Sequence, residues 1–388
     1  MYGVASVVAP LLGGIFTTKL TWRWCFYINL PIGGSALLSI ALFFHPTPNA
    51  RTLASTWQEK ISQMDLLGTA ILIPGVVCLL LALQWAGSVY KWSSSLIIVL
   101  LVISAIAAVV FISIQIWKKD NATVPPRIIK QRSVACSACY VFHAGGALNV
   151  FQYYVSTPHY ISSYHYAKLN KSQNTQLPIW FQAIQGVSAF DSGIRILPTT
   201  LGTVVFALIA GIGVSKTGYY TPFMILGASL SIVGACLMAT WQIASPSVQW
   251  IGYQIIFSAG AGLGIQQAHT AAQTVLAATD VPTGAVIMIF AQILGGTVWL
   301  SIAQNVLTGQ LLRGVVDAVP GLDPKIVLKT GSTDLRGAVG VQFLDSVVEV
   351  YNFALTRTFY CGVGLAAVAL VAASGMEWKS IEKASKSE

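Results

Sequence analysis

Two histidines and a scatter of amides stand inside long apolar runs, and they are the residues of this chain with most capacity for chemistry. His143 lies close to Gly145, Gly146 and Asn149. An imidazole there can take up and release a proton near neutral pH, or serve only as a hydrogen-bonded packing residue. His269, beside Gln266 and Gln267, closes a later apolar run and is expected at a membrane interface. Asn149, Gln152, Tyr153, Phe181, Gln182 and Gln185 fall in one region, and Gln254, Gln266, Gln292 and Gln304 punctuate later runs. Amides of this kind hydrogen-bond between helices in lipid. With aromatic neighbours they also line pockets for flat, weakly polar molecules. Asp191 and Arg195 stand four apart, the helical spacing at which opposite charges meet, and are candidates for a helix anchor or a gate.

Covalent and metal chemistry are not indicated. All 13 acidic residues fall in loops, tails or the ends of apolar runs, so no carboxylate stands mid-run as a proton carrier. His45, His159 and His165 lie between the runs and build no di-metal cluster. Cys136 and Cys139 form a C-x-x-C without the second pair a zinc site needs, and both read as helix residues. There is no nucleophile elbow and no G-x-x-x-x-G-K-[ST] loop, so the chain reads as neither an enzyme nor an ATP-driven machine, and no cofactor is expected.

The elements that must position these residues are membrane spans. Hydrophobic residues make up 55% of the chain and charged residues 9%, against about 25% charged in soluble proteins. Mean hydropathy is +0.70. The reading is an all-α polytopic membrane protein whose partner is the lipid bilayer. Its net charge of +9 reflects basic residues kept in loops rather than nucleic-acid binding. At about 20 residues per span, ten spans are expected: about 2–16, 25–44, 66–86, 95–117, 134–154, 194–214, 221–242, 250–269, 285–305 and 358–375. No signal peptide is expected, because Met1 opens directly into an apolar stretch. Lys118, Lys119, Arg127, Lys130 and Arg132, with Lys379, Lys383 and Lys386 after the last span, place that side and the C-terminus in the cytoplasm. The stretch from Val306 to Arg357 is expected to be a long loop on the opposite face, and its basic residues run against the rule. Asn121-Ala-Thr123 is a glycosylation sequon on the cytoplasmic side and should be unused.

Near the N-terminus, Ala5, Ala9, Pro10, Gly13 and Gly14 form A-x-x-x-A-P-x-x-G-G, small residues that let a neighbouring backbone approach. Trp22, Arg23 and Trp24 then make an interfacial turn, followed by Phe26, Asn29 and Pro31. This stretch resembles the fifth helix, and the turn into the sixth, of the fourteen-span drug:proton antiporters of the major facilitator superfamily (MFS). The family pattern there is g-x-x-x-G-P-x-x-G-G followed by W-R-W-x-F-x-x-N-x-P, and this chain carries alanine at the two early glycine positions. Asp65-x-x-Gly68 and the run Gly186 to Pro198 are similar to further elements of the family.

The resemblance implies an MFS-type helical bundle with about ten of fourteen helices visible. Residues 1–44 would be the last two helices of a truncated N-terminal bundle, and 45–132 an inserted helix pair with its loops. Residues 133–388 would be the six-helix C-terminal bundle, with a cytoplasmic tail at 376–388. It also implies proton-coupled efflux of small amphipathic drugs, toxins or secondary metabolites, in the plasma membrane or alternatively the vacuolar membrane. The proton-coupling acids would lie in the absent helices. A solute-uptake member of the superfamily, or a truncated product without transport of its own, are the alternatives. Residues 155–176 interrupt the family pattern: joined across them, Tyr153-Tyr154 runs into Leu177-Pro178-Ile179 as the family does. Val155-Ser156-Thr157 can be encoded as a splice donor and Gln176 as an acceptor end, so this 22-residue piece reads as a retained intron. The alternative is a polar outer loop in which Asn170 opens a sequon.

Overall fold

The computed structural model describes residues 23–43, 65–87, 89–156, 180–185, 189–320 and 341–381, with a few isolated positions besides. The expected first span 2–16, with Ala5, Ala9, Pro10, Gly13 and Gly14, lies outside the described residues. So do Trp22, most of the 155–176 piece and the last residues of the tail.

The described chain is helical. After a turn at Trp24–Tyr27 come α1 (Asn29–Phe43), α2 (Leu66–Trp85), α3 (Ser95–Lys118) and α4 (Arg132–Ser156). Then follow α5 (Leu197–Thr217), α6 (Thr221–Met238), α7 (Ser247–Val275), α8 (Val281–Ala318) and α9 (Val341–Ser374). Local chemistry sets their ends. The Asp65 carboxylate accepts from the Gly68 N–H at 2.9 Å and caps α2. Pro198, Pro222 and Pro282 stand in the first turns of α5, α6 and α8, where a missing N–H costs nothing. Gly218, at φ 76°, closes α5 in the left-handed conformation.

Among the described residues, eight helices are long and apolar enough to cross a membrane. They coincide with eight of the ten expected spans. α7 covers a ninth, but Gln254, Ser258, Gly260, Gly262, Gly264, Gln266 and Gln267 dilute its apolar content. Those glycines are packing residues. A Cβ at Gly227 on α6 would meet the Gly260 carbonyl oxygen at 2.7 Å and the Gly264 nitrogen at 2.8 Å, so the two backbones touch.

α4 to α9 pack into one bundle: α4 holds α8 and α9, and α7 holds α5 and α6. α2 and α3 pair with each other and meet the bundle through α8. α1 carries no buried residue.

The expected loop from Val306 to Arg357 needs correction. α8 runs on to Ala318 and α9 begins at Val341. With 38 and 34 residues, these helices are about 57 and 51 Å long, well beyond a hydrocarbon core of about 30 Å. Leu307, Leu311 and Val315 bury themselves with Val347, Val348, Tyr351 and Leu355. The two helices therefore stay paired past the membrane, and the charges Arg313, Asp317, Asp345 and Glu349 ride on this projecting hairpin.

Candidate functional site

The bundle has two distinct ends and a polar crossing between them. At the basic end, Asp65 is buried and gathers a network of donors. Gln115 Nε2 donates to it at 2.7 Å, Thr123 Oγ1 at 3.0 Å and the Thr123 N–H at 3.2 Å, and the Lys118 ammonium stands 3.1 Å away. Burial alone would push this carboxyl up. The hydrogen bonds from Gln115, Gly68, Lys118 and Thr123 outweigh burial and hold it well below the usual carboxylate range. Arg127 makes a two-pronged pair with Asp280, at 2.6 and 3.0 Å, and also reaches Asp120 at 3.1 Å. Its already high pKa is raised further by those carboxylates, Asp280 first. Glu377 is held below its ordinary value by Lys379 and Ser133.

At the opposite, aromatic end, Trp180, Phe181, Trp241, Trp250, Phe151, Phe257 and Phe359 make one buried cluster. Arg195 enters it. Its guanidinium donates to Gln185 Oε1 and lies 5.6 Å from the Phe181 ring and 5.8 Å from that of Trp250. Asp191, the partner expected from spacing, is exposed one turn earlier. Gln254 is fully buried, donates to the Arg195 carbonyl at 3.1 Å and accepts from Thr199 at 2.7 Å. Tyr154 donates to Gln304 at 3.0 Å, and Tyr153 packs edge-on to Tyr154. Phe181, Gln185, Arg195 and Gln254 thus belong to this end. The side chain of Gln182 lies outside the described residues.

The polar crossing lies half-way along α4, where α4 meets α8. Gly145 and Gly146 of α4 face Gln292 and Trp299 of α8, and Gly295 and Gly296 of α8 face Phe142 and Asn149 of α4. Four glycines let the helices close in, and the larger residues fill the spaces beside them. The His143 ring nitrogen Nδ1 is 2.8 Å from the Cys139 carbonyl, and the ring lies 5.7 Å from that of Trp299. Asn149 is exposed and donates to the Gly145 carbonyl at 2.8 Å. His269 Nε2 meets Gln292 Oε1 at 2.9 Å and bridges α7 to α8. Gln152 and Tyr153 continue the half-open side of α4 toward the aromatic end.

The predicted cavity residues therefore divide. His143, Asn149 and Gln292 come together at mid-span, and about fifteen residues of α7, some 22 Å, separate Gln254 from His269. Sequence reasoning missed Trp299, because an indole in an apolar run looks like any filling residue. The interfacial set keeps Arg23, Trp24 and Asn29 exposed, with Asn29 donating to the Cys25 carbonyl at 3.2 Å and Pro31 in the first turn of α1. No group of three or more histidine, cysteine, aspartate or glutamate residues fit to hold a metal occurs among the described residues.

The pattern of the family described as fungal trichothecene efflux pump (TRI12) matches residues 2–209. The chain is 45% identical over 98% of its length to the MFS-type efflux pump MFS1 of Arthroderma benhamiae, spanning 67% of that protein. It is 42% identical over 99% of its length to the efflux pump bfoC of Aspergillus brasiliensis, spanning 64% of it. It thus spans about two thirds of the length of the relatives it matches. Among solved structures, a bacterial homologue of the human lysosomal transporter Spinster is remotely similar, at 13% identity and a TM-score of 0.46, over 97% of this chain and 83% of its own. By the family pattern and the two efflux-pump relatives, and with eight described helices long and apolar enough to cross a membrane, the chain belongs to the fungal MFS-type efflux pumps, a family of multi-pass membrane transporters.

Proposed function

We propose that this chain forms part of the translocation path of an exporter of small amphipathic organic molecules, with protons as the counter-ion. Residues 133–388 are read as the second of two bundles, 45–132 as an inserted helix pair with its loops, and α1 as a helix of the first bundle. Transporters of this kind bind substrate near the bilayer midplane, between bundles that rock against each other. The observation that carries the reading is the mid-span crossing of α4 and α8. There, His143, Asn149, Gln292 and His269 bring polar groups to the contact of α4, α7 and α8. Intramembrane polar and ionisable groups are costly and mark transport paths. His143 and His269 are the proposed proton-holding groups of this half, and Arg195 within its aromatic cage a proposed gate. The family names of the relatives support the direction of transport. The plasma membrane, with the C-terminus in the cytoplasm, is the proposed location, supported by the basic residues at that end.

The test is accumulation of rhodamine 6G in yeast stripped of its own drug pumps. Cells expressing the chain should retain less dye than empty-vector cells, and a protonophore should erase the difference. Equal retention with the protein present at the cell surface would contradict the proposal.

A further inference from the structure

We infer that Trp299 is a substrate-recognising hydrogen-bond donor at the α4–α8 crossing, and that with His143 it selects planar aromatic molecules carrying both an acceptor oxygen and a hydroxyl. This deepens the export reading and rests on it. The indole nitrogen of Trp299 is buried and has no hydrogen-bond partner, and an unpaired buried N–H is an expensive arrangement for a protein to keep. Trp180, by contrast, donates to Asn352 at 3.1 Å. Trp241 also lacks a partner, but it is closed in by Trp180, Phe181 and Phe359 rings at 4.7–6.3 Å. Trp299 differs in its surroundings: it is only half-buried as a residue and sits mid-span beside the half-open side of α4.

The neighbouring imidazole is the complement. His143 Nδ1 lies 2.8 Å from the Cys139 carbonyl, so in the neutral ring Nδ1 carries the proton and Nε2 is an acceptor. The rings of His143 and Trp299 are 5.7 Å apart at 42°, and Phe142 stands edge-on to both, at 5.1 and 6.3 Å. One donor, one acceptor and an aromatic wall thus adjoin at the crossing. A flat ring system would stack on the wall, a carbonyl oxygen would accept from Trp299 Nε1–H, and a hydroxyl would donate to His143 Nε2. Gly146 is the condition for it: a Cβ there would come within 3.0 Å of Trp299 Cγ and displace the indole.

The experiment is equilibrium dialysis of the purified full chain in detergent micelles, against empty micelles, with three probes of similar shape: anthracene, 9,10-anthraquinone and 2-hydroxyanthraquinone. The expected affinity rises in that order, by about five- to tenfold at each step, the factor of one net hydrogen bond. Trp299→Phe should abolish the preference for 9,10-anthraquinone over anthracene, whatever it does to anthracene itself. His143→Phe should remove only the gain from the hydroxyl, and His143→Gln, which keeps an acceptor, should restore it. Equal binding of all three probes, binding of none, or an unchanged preference in Trp299→Phe would overturn the inference. A chain that shows this selectivity yet moves no dye would overturn the export reading and leave the role of Trp299 standing.

Discussion

Single residues at the helix contacts carry sharp consequences. Gly295 lies against the Phe142 backbone, and a Cβ there would come 2.7 Å from the Phe142 carbonyl carbon. Gly295→Ala should part α4 from α8 at a cost of about 1–3 kcal/mol, read as earlier loss of the folded monomer in a thermal ramp monitored by gel filtration. Asp65→Ala should cost about 2–3 kcal/mol, because it leaves the buried donors of Gln115 and Thr123 unpaired. The pH sign follows from the direction of its shift. Since the folded Asp65 carboxyl titrates below its unfolded value, its contribution is complete at neutral pH and fades only as pH falls below the ordinary carboxylate range. A thermal-stability difference between wild type and Asp65→Asn that stays constant from pH 8 to 6 fits this; one that vanishes by pH 6 does not. The sequence made Asp65 and Gly68 legible as a motif but hid the reason, since Gln115, Lys118 and Thr123 stand about 50 positions away. For Arg195 the spacing made Asp191 visible one turn away, but it hid Gln185 and the two aromatic faces that packing brings to the guanidinium.

At the scale of elements, the pair α2–α3 is fastened to α8 at two separated points. Arg127, just after α3, grips Asp280 before the start of α8, and Asn305 far along α8 donates to the Leu83 carbonyl near the end of α2 at 2.6 Å. The pair should therefore travel with the bundle of α4 to α9. Spin labels on exposed positions Ile106 of α3 and Ile289 of α8 should report one narrow distance in the wild type. Arg127→Asp should broaden it, and the double variant with Asp280→Arg should narrow it again. A distribution indifferent to all three would sink the fastening. Most elements were legible from hydropathy alone, because about 20 apolar residues leave little choice. The lengths of α8 and α9 were not. Hydropathy reports where lipid ends, whereas these helices continue by burying Leu311 and Val315 against Val347 and Tyr351 beyond that point.

For the whole molecule, both flanks of the 155–176 piece sit in the same aromatic core: Tyr154 and Trp180 are each fully buried there. The retained-intron reading predicts that reverse transcription over this region yields a product lacking the 66 nucleotides that encode these 22 residues; a peptide from within the piece in the purified protein would refute it. The export claim concerns the whole chain and needs a whole-chain measurement. Purified protein in lipid vesicles with an acidic interior should drive rhodamine 6G inward against its gradient, faster than protein-free vesicles, and a protonophore should stop it. Dye movement equal to that of protein-free vesicles, with the protein folded and inserted, would contradict the account.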